Sequence, residues 1–265
     1  MSGIPLLQVD AFTAEPFRGN PAAVVLLDAP ASARWMQDVA AETNLAETAF
    51  VVPTGESTFD LRWFSPAVEV DLCGHATLAS AHVLWSEGRT SVDVVAFATR
   101  SGELRARRQG AAIELDLPAL HAQPQSPPPG FLEALGVDGG TFAATDNGWY
   151  LVELADEQAV RAVAPDLRAL AAFTTCVVTA PADAGADTAS RVFGPAVGID
   201  EDPVTGSAHC LLGPFWAARR GRTELLAHQV SPRGGVVHVS VRGDRVGLAG
   251  QAVTVLRATL TAARR

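Results

Sequence analysis

One phrase occurs twice in this sequence, and the repeat constrains the fold more than any other feature. Residues 64–71 read Phe-Ser-Pro-Ala-Val-Glu-Val-Asp, and residues 193–200 read Phe-Gly-Pro-Ala-Val-Gly-Ile-Asp, 129 residues further along. A glycine-containing turn and an apolar run follow each copy, with the glycines at Gly74 and Gly206. A repeat at this distance is too long for a solenoid. It predicts two similar domains that present a glycine-started helix each to one shared cleft.

Length and composition agree with two folded domains. The chain has 265 residues, of which 48% are hydrophobic and 18% are charged, so two hydrophobic cores are expected. We predict an N-terminal domain over 1–117, a proline-rich linker over 118–130 and a C-terminal domain over 131–251. The terminal strand over 252–261 is a candidate for joining the first domain.

The predicted fold class is α+β with a mostly antiparallel sheet in each domain. Short alternating segments typical of strands outnumber the helical segments. The two helices that begin at Gly74 and Gly206 are apolar nearly all round. A helix of that kind is buried on every side, so we expect a curved, barrel-like sheet around each one.

Charge and composition exclude several classes of function. The net charge of −9 disfavours nucleic acid or an anionic membrane as a partner. All 20 basic residues are arginine, so lysine-linked pyridoxal phosphate chemistry and Schiff-base aldolase chemistry are excluded. A P-loop and a GxGxxG motif are both absent from the sequence, so no nucleotide cofactor is predicted.

The cysteines and the first residues give further expectations. Cys73, Cys176 and Cys210 show no CxxC spacing, which argues against a zinc ribbon or a disulfide framework, and no metal is predicted. The sequence has no leader pattern at its start and no apolar run of membrane-spanning length. We therefore expect a cytoplasmic protein without a membrane partner.

The helix starts predict a site for a small carboxylate. Free backbone N–H groups and the helix dipole favour an anion there, and Gly74 and Gly206 allow its close approach. Aligning the two turns pairs Cys73 with Thr205, Gly74 with Gly206 and His75 with Ser207. A racemase with one thiol on each side of its substrate would need cysteine at both 73 and 205, so the alignment disfavours that mechanism.

Other residues can supply acid–base chemistry. Glu47 stands among small and apolar residues, where burial would raise the pKa of its carboxyl group. The helix dipole would lower the pKa of His75 and keep its ring neutral. Asp202 and Ser207 flank the second turn. Taken singly, each of these residues is equally explained as a surface, capping or turn residue, and Cys73 as a small buried one.

Several motifs, in this order along nearly the whole chain, resemble the phenazine-biosynthesis PhzF-like family. They are Gln8-Val9-Asp10-Ala11-Phe12, Gly19-Asn20-Pro21-Ala22-Ala23-Val24, Asn44-Leu45-Ala46-Glu47-Thr48, Cys73-Gly74-His75-Ala76-Thr77, Glu201-Asp202-Pro203-Val204-Thr205-Gly206-Ser207-Ala208-His209 and Gln229-x-Ser231-x-Arg233-Gly234-Gly235. The resemblance implies the diaminopimelate-epimerase-like fold, with two pseudo-symmetric domains and the site between them. It also implies a homodimer.

The resemblance further implies a cofactor-free, metal-free isomerase. The best-understood member of the family isomerises trans-2,3-dihydro-3-hydroxyanthranilate by moving a proton between ring carbons. By this resemblance Glu47 shuttles the proton, and His75, Asp202 and Ser207 hold the substrate. Gly74, Gly206, Thr205 and Cys73 are the expected substrate-binding positions around them.

The sequence thus favours an isomerase that moves a proton on a small carboxylate. Two alternatives stay open. One is an epimerase or racemase of an amino acid or a derivative, which would depend on the thiol of Cys73. The other is a small-molecule binding protein that retains the site without turnover.

Overall fold

The structure, a computed structural model, describes residues 3–183 and 185–261. The first two residues, part of the stretch inspected for a leader, lie outside the described residues. The chain forms two compact units. The first contains the described residues up to Asp116 together with those from Ala249 onward, and the second contains Leu117–Leu248.

In its described residues the first unit contains two helices, and more of its residues are in strands than in helices. The helices are α1 (Ala33–Thr43) and α2 (Gly74–Ser86). The strands are β1 (Ile4–Ala11), β2 (Asn20–Leu26), β3 (Glu47–Pro53), β4 (Thr58–Phe64), β5 (Glu69–Val70), β6 (Val94–Thr99), β7 (Gly102–Gln109) and β8 (Ala112–Pro118), whose last two residues belong to the second unit. The terminal strand, Ala252–Leu260, pairs antiparallel with β1, so it belongs to this unit.

The second unit has a similar make-up. Its helices are α3 (Phe131–Leu135), α4 (Glu157–Ala162), α5 (Leu167–Leu170) and α6 (Gly206–Arg220). Its strands are β9 (Ala122–Pro124), β10 (Thr141–Thr145), β11 (Tyr150–Glu153), β12 (Cys176–Pro181), β13 (Thr188–Gly194), β14 (Ile199–Asp202), β15 (Glu224–Gln229), β16 (Gly235–Arg242) and β17 (Arg245–Gly250), which runs into the first unit at its end. The terminal strand is accordingly β18.

The two units share one order of strand pairing. In the first, β2 pairs parallel with β3, β3 antiparallel with β4, β4 parallel with β6, and β6 antiparallel with β7. In the second, β11 pairs parallel with β12, β12 antiparallel with β13, β13 parallel with β15, and β15 antiparallel with β16. The repeat therefore extends from the phrase to the whole unit, as the sequence predicts.

One buried helix lies against the sheet of each unit. Helix α2 contacts β1, β2, β3, β7 and β18, and its residues from Gly74 to Ala81 are all buried. Helix α6 contacts β15 and β16. A Cβ at Gly213 of α6 would stand 2.8 Å from the Cγ1 atom of Val239, so glycine permits the close packing of helix and strand. Both helices begin at the glycines named from the sequence, which confirms this prediction.

The segment 118–130 differs from a plain linker. Residues 122–124 form the short strand β9, which pairs with β10. The segment also lies within the second unit, because β9 extends the sheet there. Proline at 118 and 124 is tolerated because each residue stands at the end of its strand. None of the helices in the described ranges combines the length and apolar character needed to cross a membrane.

Replacing Leu78 by alanine tests whether α2 is the core of the first unit. Leu78 is fully buried, and its truncation is expected to cost about 2–5 kcal/mol of unfolding free energy. Urea unfolding followed by circular dichroism measures the change. Leu256→Ala is the control, because Leu256 is 47% exposed and its loss should cost less than about 0.5 kcal/mol. Equal effects of both variants would contradict a core role for α2.

Candidate active site

In the first unit, three local structures bring the acid–base residues together. Glu47 is the first residue of β3 and lies opposite Ala22 in β2. Asn20 is the first residue of β2, and His75 is the second residue of α2. Cys73 directly precedes that helix and has extended backbone geometry. The starts of two parallel strands and of the buried helix therefore meet at one place.

The carboxylate of Glu47 and the imidazole of His75 are in direct contact. His75 Nε2 lies 3.0 Å from Glu47 Oε2, and the two residues are only 5% and 8% exposed. On the other side of the ring, Asn20 Nδ2 lies 3.1 Å and Cys73 Sγ 3.6 Å from Nδ1. The fold thus brings together two of the residues that the sequence analysis selected, Glu47 and His75.

The Oε2 atom of Glu47 is buried beside the ring of His75. The 3.0 Å contact with His75 Nε2 is an ion pair, and hydrogen bonding by His75 and Cys73 also stabilises the charged form of this carboxylate. A buried carboxylate oxygen normally accepts hydrogen bonds, because desolvation without them costs free energy. The desolvated Oε2 of Glu47 keeps a lone pair with which it can accept a proton.

The pKa of Glu47 is lowered, whereas the sequence analysis predicted a raised pKa. Burial, the largest influence, raises the pKa, but the positive charge of His75 and the polar contacts of His75 and Cys73 outweigh it. The net result is a pKa below the ordinary value for glutamate. The expectation failed because it considered burial without the partner that the fold supplies.

The pKa of His75 also moves against expectation. Burial lowers it, but the polar contact with Cys73, together with the charge and the polar contact of Glu47, outweighs burial and holds the pKa well above the ordinary value. The pKa of the Cys73 thiol is itself raised, by burial and by Glu47, so the carboxylate is the charged partner at neutral pH. The prediction of a lowered pKa rested on the helix dipole alone and did not include the neighbouring Glu47 and Cys73.

In the second unit, the predicted residues stand around the start of α6. Asp202 is the last residue of β14, Thr205 precedes the helix, and Gly206 and Ser207 are its first two residues. The Thr205 hydroxyl donates a hydrogen bond to Asp202 Oδ2 at 2.5 Å. Ser207 is half-buried.

Both helix starts keep the property needed to bind an anion. Neither Cys73 before α2 nor Thr205 before α6 caps its helix with a side-chain hydrogen bond. The first N–H groups of α6 thus have no side-chain acceptor from Thr205, whereas at α2 the backbone N–H of Ala76 interacts with the weakly accepting sulfur of Cys73. This agrees with the predicted positions at Gly74 and Gly206, whose roles remain predictions.

The fold also creates a set of potential metal ligands that residue spacing did not reveal. Ligand atoms of Glu47, Cys73 and His75 lie within 4.8 Å of one another, the single such group found within the described ranges. Carboxylate, thiolate and imidazole together suit a borderline divalent ion such as Zn²⁺. The expectation of no metal rested on cysteine spacing, which is blind to a group assembled from two separate segments.

Sequence reasoning missed two residues that contact the predicted ones. Asn20 contacts His75, and Gln229 of β15 bonds to both Asp202 and Thr205. Both residues belong to motifs that carried the family resemblance, but a motif by itself gives no partner. Their roles become visible only with the contacts.

Titration of His75 tests the ion pair. In Glu47→Gln the carboxylate is lost while burial remains, so the pKa of His75 is expected to fall. NMR of the imidazole Cε1–H measures it, with the signal assigned by its absence from His75→Gln. Glu42→Gln, an exposed glutamate of α1, is the matched control and should leave the titration unchanged. An unaltered pKa in Glu47→Gln would contradict the ion pair.

Comparison with known proteins identifies the family of this chain. The model of the PhzC-PhzF family, described as phenazine biosynthesis-like protein, matches residues 9–258. An uncharacterized isomerase of Pseudomonas aeruginosa is 47% identical over 258 residues, covering 97% of this chain and 98% of the relative. A crystal structure of a PhzF-family protein from Enterococcus faecalis has a TM-score of 0.92 at 40% identity, over 97% of this chain and 98% of that one.

The likeness extends to more distant proteins in fold alone. A hydroxyproline epimerase from Agrobacterium vitis is 12% identical, with a TM-score of 0.62 over 98% of this chain and 91% of that one. The predicted α+β fold with two similar units is thereby confirmed, as is the resemblance read from the motifs. This chain belongs to the phenazine biosynthesis-like protein family.

Proposed function

We propose that this protein is a cofactor-independent isomerase that moves a proton on a small carboxylate substrate, with Glu47 as the acid–base group. The observation that carries the proposal is the buried Oε2 of Glu47, which lies 3.0 Å from Nε2 of His75. The isomerase name of the Pseudomonas aeruginosa relative supports the reaction class.

The proposed reaction needs one base and leaves the redox state unchanged. Glu47 Oε2 takes a proton from a substrate carbon, and the electron pair of the C–H bond spreads into the conjugated system of the substrate. The same carboxyl group returns the proton to another carbon. His75 keeps Glu47 ionised between turnovers and hydrogen-bonds a polar group of the substrate.

The lowered pKa of Glu47 sets a requirement on the acidity of the substrate carbon. A carboxylate with a low pKa is a weak base, so the carbon acid must itself be strongly activated. Conjugation with a second double bond or a carboxylate supplies this activation better than the α-carbon of a simple amino acid. This favours an unsaturated carboxylate of the kind that the family resemblance implies.

The residues of the second unit retain their predicted substrate-holding roles in this proposal. Asp202 and Ser207 would bind an amine or a hydroxyl group. Backbone N–H groups at Gly74 and Gly206 would bind the carboxylate, with Cys73 and Thr205 beside them. The homodimer and the cytoplasmic location implied by the resemblance and by the sequence belong to the same proposal.

Deuterium incorporation from D₂O tests the role of Glu47. The probe is trans-2,3-dihydro-3-hydroxyanthranilate, and mass spectrometry of product and recovered substrate measures the exchange. Glu47→Gln should exchange about 10²–10⁴ times more slowly than the wild type, because the amide cannot take up the proton. Glu42→Gln should exchange at the wild-type rate. Equal exchange by Glu47→Gln and the wild type would rule out Glu47 as the base.

One observation keeps the racemase alternative in view, namely that Cys73 contacts His75. A thiol base requires a thiolate, and the raised pKa of Cys73 opposes its formation. Cys73→Ser should therefore retain most of the proton-exchange activity. Loss of about 10²-fold or more in that variant, with racemisation of proline by the wild type, would favour thiol-dependent racemisation.

A further inference from the structure

The second copy of the repeat contains an insertion that carries Asp202. The two phrases lie 129 residues apart, whereas the helix starts at Gly74 and Gly206 lie 132 apart. Three more residues thus separate the phrase from the helix in the second copy. A longer connection needs additional contacts to keep one conformation.

Part of the anchoring is common to both units. Ser101 stands two residues after the end of β6, and its hydroxyl donates to the carbonyl of Asp71 at 2.6 Å. Ser231 stands two residues after the end of β15, the equivalent strand, and donates to the carbonyl of Pro203 at 2.7 Å. These two matching bonds belong to the shared scaffold.

The second unit has a second anchor, for which the described residues of the first unit show no equivalent at the matching position. Gln229, the last residue of β15, is 1% exposed, and its Oε1 accepts a hydrogen bond from the Thr205 N–H at 2.8 Å. Its Nε2 donates to the carbonyl of Asp202 at 2.6 Å and to the Thr205 hydroxyl at 3.2 Å. The equivalent residue of the first unit, Thr99, instead donates to Gly102 within its own turn.

These bonds have a fixed direction. The amide Nε2 of Gln229 can only donate, so the Thr205 oxygen accepts there and directs its own proton to Asp202 Oδ2. The carboxylate of Asp202 is thereby held as an acceptor. Glutamine is suited to this position because it combines one acceptor with a two-hydrogen donor.

We propose that Gln229 is a positioning residue for substrate binding, which holds the inserted segment so that Asp202 and the start of α6 keep their geometry. The inference rests on the proposed function for the substrate-binding role of Asp202. It assigns a role to the motif Gln229-x-Ser231 that the acid–base chemistry leaves unexplained.

Amide hydrogen exchange of Thr205 tests the anchor without any substrate. In Gln229→Met the Thr205 N–H loses its acceptor and should exchange about tenfold faster or more. Gln229→Glu keeps an acceptor oxygen, so Thr205 should remain protected. Ser101→Ala is the control for loss of a scaffold bond elsewhere and should not affect Thr205. Unchanged exchange in Gln229→Met would overturn the proposal.

Steady-state kinetics with trans-2,3-dihydro-3-hydroxyanthranilate test whether Gln229 acts by positioning Asp202. Both Gln229→Met and Gln229→Glu should raise KM about tenfold with a smaller change in kcat, because Gln229→Glu has lost the donor that orients the Asp202 segment. Asp202→Ala combined with Gln229→Met should be no worse than Asp202→Ala alone. Additive losses would show that Gln229 acts elsewhere and would overturn the proposal.

The two measurements separate this inference from the proposed function. If the wild-type protein leaves the probe unchanged, the substrate class of the proposed function is wrong, and the Thr205 exchange still decides whether Gln229 anchors the segment. If Gln229→Met does not fold, the KM of Gln229→Glu tests the proposal instead. A raised KM would support the proposal, and a wild-type KM would overturn it.

Discussion

A helix that is apolar on every side can be stable in water only when other structure covers it, and both units are built on this constraint. Helices α2 and α6 pack against their own sheets and are buried over most of their length. Their first turns carry the candidate polar side chains and N–H groups. The candidate residues therefore gather at the helix starts and at the strand ends beside them.

The two units share one scaffold, but the residues at their helix starts differ. The Thr77 hydroxyl donates to the carbonyl of Cys73 at 2.5 Å, and in the second unit His209 Nδ1 lies 2.8 Å from the carbonyl of Thr205. Burial lowers the pKa of His209 to about 4, which keeps its ring neutral and fit for this bond. Two residue types thus fill one structural position. The ion pair of Glu47 and His75 has no counterpart in the aligned second turn, which holds Thr205 and Ser207.

The ion pair also explains why burial alone predicts the wrong direction for the pKa of Glu47. Desolvation raises the pKa of a carboxyl group, and an adjacent cation lowers it. At Glu47 desolvation is the largest single influence, but the charge of His75 and the polar contacts of His75 and Cys73 together outweigh it. The result is a carboxylate that stays ionised and unsolvated, next to an imidazole that can hold a proton. Such a base suits an activated carbon acid, which links the geometry to the class of substrate proposed.

The sequence by itself determined the two-unit plan, the buried helices that begin at Gly74 and Gly206, and the family. These properties follow from apolar patterning, glycine positions and motif order, all of which are local along the chain. Only the tertiary structure decided that His75 faces Glu47, that Cys73 stays a thiol, and that Gln229 holds Asp202. Residues 47 and 75, or 202 and 229, are remote in sequence, so their contacts and the pKa shifts that follow depend on how the strands pair.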